Sequence, residues 1–288
     1  MTRTRVLAAL AAAGLALTAC STSQEGAGDP TDEVSASATC DKASLQTKTP
    51  GTLVVATGQP AYEPWAVDDA PESGAGFEPA VAYAAAAELG YAKSDVKWVR
   101  TTFDGAIAPG AKNFDWNLQQ FSITPDREKA VDFSSSYYDV NQAIVADKTS
   151  AIAEATSLAD LADAQLGAAV GSTSLESAQA LATSKEVRVY NDNAAAVSAL
   201  KNSQIDGIVV DLPTAFYLVG VEIDGGVLVG QLPGAAGAAT DQFGILLAND
   251  SPLTACTTQA VDRLREDGTL DTLQETWLGT DAGAPTLQ

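Results

Sequence analysis

Residues 121–138 read FSITPDREKAVDFSSSYY, an apolar lead-in, a turn and a charged start to a helix. The strand-like lead-in stops at Thr124-Pro125, which reads as an N-cap followed by proline at the first helical position. Arg127 then falls at the third helical position, near the unpaired amides of the helix start. The chain carries 16 Lys and Arg against 37 Asp and Glu, so an arginine set beside small hydroxyl residues here needs a reason. A guanidinium offers a fork of donors that matches a carboxylate in bidentate geometry, and Ser122 adds a hydroxyl just before the turn. The competing reading is a solvated arginine paired with Asp126 or Glu128. The local pattern leaves both open.

Upstream, TLVVAT (52–57) is a strand candidate followed by the loop GQPAYEPW (58–65). Pro79 opens the alanine-rich helix AVAYAAAAEL, and Gly90 stops it. VKWVRT (96–101) is a second strand, FDGAIAPGA a short loop and helix, and FDWNLQQFSI (114–123) a third strand. Downstream, QAIVAD (142–147) leads out of this group. A second group follows: a helix from Ser157, the strand QLGAAVG (165–171), a helix over 174–184, the strand VRVY (187–190), a helix over 194–202 and the strand GIVVD (207–211). After the Gly/Ala-rich crossing LPGAAGAAT (232–240), the strand FGILLA (243–248) leads to a helix from Pro252. Gly268 interrupts that helix before the amphipathic LDTLQETWL. Strand–helix alternation predicts an α/β class with helices on both sheet faces. The chain leaves the first group near 142 and returns near 240. One lobe is therefore expected from 40–141 and 241–288, with a second, 142–240, inserted into it.

The N-terminus reads as targeting, not fold. Arg3 and Arg5 precede the apolar run of residues 6–19, a basic region and a short apolar core before small residues, as in a secretory signal over 1–19. The run is shorter than the ~20 apolar residues of a bilayer span. LTAC, ending at Cys20, looks like a lipobox, in which Cys20 is lipidated; the alternative is a plain signal with an incidental cysteine. Residues 20–39 are polar, small and acidic and read as a flexible tether.

The net charge of −21 repels nucleic acid and anionic membranes, and no basic stripe offsets it. Nucleic acid is excluded as a partner, and the membrane is reached through the lipid alone. With Cys20 lipidated, Cys40 and Cys256 remain as an even pair in an oxidising compartment, expected as a disulfide; two free buried thiols are the alternative. The chain has no histidine, which removes most zinc sites and every triad built on that base. No metal and no cofactor is expected.

Three further features carry chemistry. In VGSTSLES (170–177), Gly171 ends a strand and Thr173 with Glu176 fits a capping box, giving either an anion site at a helix start or an ordinary capped helix. In IDGIVVDLPTAFYL (205–218), Asp211 falls directly after an apolar strand, where it accepts an ammonium or caps the helix opened by Leu212-Pro213. Tyr62, Trp65 and Phe103 lie at strand-to-helix turns, as core or as the walls of an apolar slot.

Taken together, GTLVVATGQPAYEPW, GFEPAVAYAAAAELG, SITPDREKAVDFSSSYY, VGSTSLES, NSQIDGIVVDLPTAFYL and REDGTLDTLQETWLG are similar to the extracellular solute-binding proteins of amino-acid ABC transporters. The resemblance spans about 51–279. It implies a two-lobed, periplasmic-binding-protein-like clamp of type II with two hinge crossings, closing on one amino acid and docking as a monomer on an ABC transporter permease. By the family's pattern Arg127 holds the α-carboxylate with Ser122 and the Ser172/Thr173 turn, and Asp211 takes the α-ammonium with the backbone around Gln120. Tyr62, Phe103 and Trp65 flank the side chain. Where the family commonly runs small and apolar this chain has Trp116, Asn117, Gln119 and Gln120, which polarise the side-chain pocket. Glu78 replaces the usual aspartate, in a capping role. A neutral polar or basic amino acid is the expected ligand, on the outer face of a bacterial cell membrane. The alternatives are a sensor for a membrane receptor, or a clamp-fold enzyme such as a dehydratase, for which Glu63, Asp104 and Asp115 are the unpaired candidates.

Overall fold

The computed structural model describes residues 40–233, 241–279 and 284–288. The expected signal segment, Cys20, the tether and most of the Gly/Ala-rich crossing lie outside the described residues.

The elements run β1 (Leu53–Thr57), α1 (Phe77–Glu88), β2 (Val96–Arg100), α2 (Phe103–Ile107), β3 (Trp116–Asn117) and β4 (Val131–Val140). After Asn141 come β5 (Gln142–Asp147), β6 (Leu166–Ala169), α3 (Thr173–Ala180), β7 (Arg188–Tyr190), α4 (Asn193–Lys201), β8 (Gly207–Asp211), α5 (Leu212–Tyr217) and β9 (Gly226–Gln231). The chain returns with β10 (Asp241–Ala248), α6 (Thr254–Glu266) and α7 (Thr269–Trp277).

Two five-stranded sheets result, ordered β2-β1-β3-β10-β4 and β7-β6-β8-β5-β9. In the first, β1 is parallel to β2 and β3 while β10 is antiparallel to β3 and β4. The second repeats the plan, with β6 parallel to β7 and β8 and β5 antiparallel to β8 and β9. Each lobe is thus a small open α/β sheet whose fourth strand is contributed just after a chain crossing.

Alternation along the strands feeds a core on each face. In β5, Ala143 and Val145 pack with Ile208 and Val210 under α4 and α5, while Ile144 and Ala146 join Val209 and Leu166 on the other face. In the first lobe the larger core gathers Trp65, Phe77, Trp116, Tyr137 and Phe243 against α1 and α6. Small side chains on α1, Ala82, Ala85 and Ala86, are fully buried there. Cys40 and Cys256 form a disulfide that joins the first described residue to α6.

Several elements differ from their sequence reading. The third strand shrinks to two residues because Gln120 takes a left-handed backbone (φ +52) and turns the chain out of the sheet. The helix expected after Pro125 is one 3-10 turn over Arg127–Lys129, and β4 starts at once behind it. The helix from Ser157 is likewise one 3-10 turn, Leu158–Leu161. Residues 284–288 do not stay with the first lobe. Thr286 bridges to Gln231, the Gln231 amide donates to the Pro285 carbonyl (2.7 Å), and Leu287 is buried in the second lobe.

Candidate functional site

In both lobes the parallel strands end on the same cleft, and the candidate residues follow those ends. Tyr62 comes after β1, Phe103 after β2, and Gln119 to Arg127 after β3. Across the cleft Ser172 and Thr173 follow β6, residues 191–193 follow β7, and Asp211 is the last residue of β8. Open α/β sheets place ligands at these carboxyl ends, where short turns leave side chains and amides facing the crevice.

Arg127 is buried, at 9% exposure. Its amide donates to the Thr124 hydroxyl (3.3 Å), although the N-cap position of the turn is Asp126, not Thr124, and carries no side-chain cap bond. Asp126 pairs with Lys129 instead, which removes the solvated-arginine reading. The guanidinium donates from Nη1 to the Ser122 carbonyl (2.7 Å) and from Nη2 to the Gly171 carbonyl of the second lobe (2.9 Å). It lies 5.3 Å from the centre of the Phe103 ring, which itself stacks on Phe121 at 4.8 Å. Burial lowers the Arg127 pKa, opposed by Glu176, Asp211 and Asp241. It remains a cation with N–H groups to spare, since each Nη carries two.

The helix start opposite differs by one residue from the expected capping box. Ser172, not Thr173, is the N-cap of α3, and its hydroxyl accepts from the Leu175 amide (3.1 Å). The Thr173 hydroxyl is thereby released to meet Ser122 Oγ across the cleft at 3.1 Å.

Asp211 makes no capping bond to α5. Its Oδ1 accepts from Gln142 Nε2 (2.7 Å), and Gln142 is held in turn by Ser174, whose hydroxyl donates to Gln142 Oε1 (2.7 Å). Burial raises the Asp211 pKa to about 7, with Gln142 and Arg127 opposing and Asp241 adding to the rise. A carboxyl in this state gains most from an incoming cation.

Glu78 does not cap α1. It accepts from the Gln120 amide (2.7 Å), from Tyr137 Oη (2.6 Å) and from Gln120 Nε2. Those bonds hold Gln120 in its left-handed conformation at the cleft wall. The Gln120 N–H is therefore committed to Glu78. Burial pushes Glu78 to about 7 as well.

Trp65 departs most from expectation. It is buried in the first-lobe core against Phe77, Tyr138 and Phe243 and does not line the cleft that holds Arg127 and Asp211. Tyr62 does line it, and burial together with the Asp192 carboxylate raises its phenol pKa. Asn191, Asp192 and Asn193 line it too and are absent from the sequence reading. Their visible signal is position, a polar turn directly after a parallel strand. Gln142 had a weaker signal, as the first residue of a strand read only as a crossing. Arg127, Asp192 and Asp211 are the charged side chains among the described residues lining this cleft.

Over residues 53–280 the chain matches the family described as bacterial extracellular solute-binding proteins, family 3. The arginine-binding extracellular protein ArtP of Bacillus subtilis (strain 168) is 28% identical over 207 residues, 70% of this chain and 77% of ArtP. The L-cystine-binding protein TcyJ of Escherichia coli (strain K12) is 28% identical over 236 residues, 80% of this chain and 84% of TcyJ. The solved structure of an ancestral arginine-binding protein bound to glutamine superposes with a TM-score of 0.67 at 30% identity, covering 80% of this chain and 99% of that one.

Proposed function

Since the chain belongs to the bacterial extracellular solute-binding proteins, family 3, we propose that it captures one amino acid between its lobes and delivers it to an ABC importer. The observation that carries this reading is a buried arginine and a half-buried carboxyl, Arg127 and Asp211, brought to one cleft from opposite lobes. A zwitterion needs one cation, one anion and a few dipoles, each costly if left unpaired in a closed site. Arg127 takes the α-carboxylate with Ser122 and the Ser172/Thr173 turn, and Asp211 takes the α-ammonium. Tyr62 and Phe103 wall the side chain, and Gln119, Gln120 and residues 191–193 line its path.

Once Arg127 and Asp211 are matched by the zwitterion, Asp192 is the charge left in the cleft lining. That favours a neutral polar or basic side chain over an acidic one. The chain works as a binding protein and not as an enzyme: of the two carboxyls raised to about 7, Glu78 is enclosed by Gln120 and Tyr137, and Asp211 is taken by the α-ammonium. The protein acts as a monomer on the outer face of the membrane, held by lipid at Cys20. Asn141 and the 232–241 segment serve as the hinge crossings.

A thermal-shift screen of residues 40–288 against the common amino acids tests this. At ~1,000 times Kd, linkage adds about 4 kcal/mol of stability, a shift easily read. Arg127→Ala and Asp211→Ala are each expected to abolish that shift while the ligand-free melting transition persists. Retained affinity in both variants would refute the assignment.

A further inference from the structure

The two lobes also meet away from the zwitterion site. Trp65 Nε1 donates to Thr214 Oγ1 at 2.8 Å, linking the loop after β1 to α5 of the opposite lobe, 149 residues away in sequence. Both residues are buried. Neither lines the cleft with Arg127 and Asp211; both face an adjoining cavity of about 200 Å³ that shares only Tyr62, Gln120 and Asn193 with it. The indole is fixed from behind, edge-on to Phe77 (6.0 Å), Tyr138 (5.8 Å) and Phe243 (5.6 Å). The direction of its N–H is therefore set by the first-lobe core, whether or not the second lobe is present.

We propose that Trp65 and Thr214 are positioning residues for ligand capture: a closure latch that sets the balance between open and closed lobes without touching the ligand. An indole N–H has one bond to give, and in an open clamp water accepts it. In the closed form both side chains are buried, and Thr214 Oγ1 is the acceptor that takes water's place. Remove that acceptor and the closed state alone carries a buried, unpaired donor, while the open state is unchanged. Apparent affinity scales with the fraction of molecules able to close, so the penalty appears in Kd. Because the bond lies outside the ligand's contacts, the penalty is the same for every ligand. Contacts in the zwitterion cleft discriminate between ligands; this one does not.

The proposal rests on the amino-acid-binding reading above, and its experiment separates the two. Thr214→Val keeps the side chain's shape and removes the hydroxyl; Thr214→Ser keeps the hydroxyl. Calorimetry with at least two amino acids that bind the parent protein is expected to show Thr214→Val weakened about five- to tenfold for each, the rank order preserved. Thr214→Ser should bind like the parent, and the ligand-free melting temperature should be alike in all three. Small-angle scattering of the ligand-free protein should show Thr214→Val more open. Parental affinity in Thr214→Val, equal losses in both variants, or losses that differ between ligands would each overturn the latch. If Thr214→Val fails to fold, Trp65→Phe carries the same comparison. Should no amino acid bind the parent, the binding reading fails, and the scattering comparison still decides the latch.

Discussion

Asp211 is a carboxyl held where its charge is unwelcome until a ligand arrives. Its pKa sits near 7 because burial outweighs the help of Gln142 and Arg127. In an unfolded chain the same group titrates near 3.8. Between those values the folded protein binds more protons than the unfolded one, so this group costs stability as pH rises from about 4 to about 7. Glu78, raised to about 7 from 4.5, acts in the same direction. The ligand-free protein should therefore melt at lower temperature as pH is raised through that window, as far as these two groups decide. Ligand affinity should run the other way. An ammonium group stabilises the ionised Asp211, so binding expels a proton below pH 7. Affinity should rise by up to roughly tenfold per pH unit toward 7 and level off above it. Calorimetry in buffers of different ionisation enthalpy reads the released proton directly. A flat affinity profile from pH 5 to 8 would mean that Asp211 does not meet the ammonium.

The turn between β6 and α3 touches the opposite lobe directly. Gly171 has φ +68, and a Cβ there would stand 2.9 Å from Asp104 Oδ1, on α2 of the other lobe. Its carbonyl also receives Arg127. Gly171→Ala should accordingly act twice. A left-handed alanine costs about 1–2 kcal/mol of stability in open and closed states alike. The close approach to Asp104 exists only on closure, and because that exposed carboxylate can rotate aside it should weaken ligand binding only slightly beyond that, which paired melting and titration experiments separate. Turns such as this also show what could be read from residues alone. GIVVD and QAIVAD are apolar runs bounded by turn residues, and β8 and β5 have the predicted limits. β4 is VDFSSSYYDV, a serine-rich run whose burial follows no strict alternation because its pairing with β10 slips at two places. Nothing local marks it as a strand. Arg127 and Asp211 were legible because proline punctuates the chain beside each. Gln142 and Glu78 were not, since their partners lie 69 and 42 residues away. Trp65 sits in a loop like a ligand wall, and only the packing of three other aromatic rings shows it to be core.

At the scale of the molecule, the Cys40–Cys256 disulfide closes a loop with a sequence separation of 216. Chain-entropy arguments credit such a loop with up to about 5 kcal/mol. Both cysteines belong to the first lobe and pack at its core. Replacing them with Ala should lower the melting temperature and leave the ligand rank order unchanged; an altered rank order would show that the link reaches the cleft. The C-terminal residues have a different consequence. Since α7 packs with the first lobe and 284–288 lie along β9, the chain passes between the lobes three times. The third pass attaches at Gln231, whose side chain also accepts from Asn141 (2.8 Å), the residue of the first crossing. Two strands side by side form a ribbon that bends and twists with equal ease. Here the described ends of all three passes are tied to one another on the second lobe, through Asn141, Gln231 and Pro285, an arrangement that bends more readily than it twists. Such a hinge should hold each stroke of the clamp close to a single arc, so that the lobes return to the same register without being steered there by what they hold.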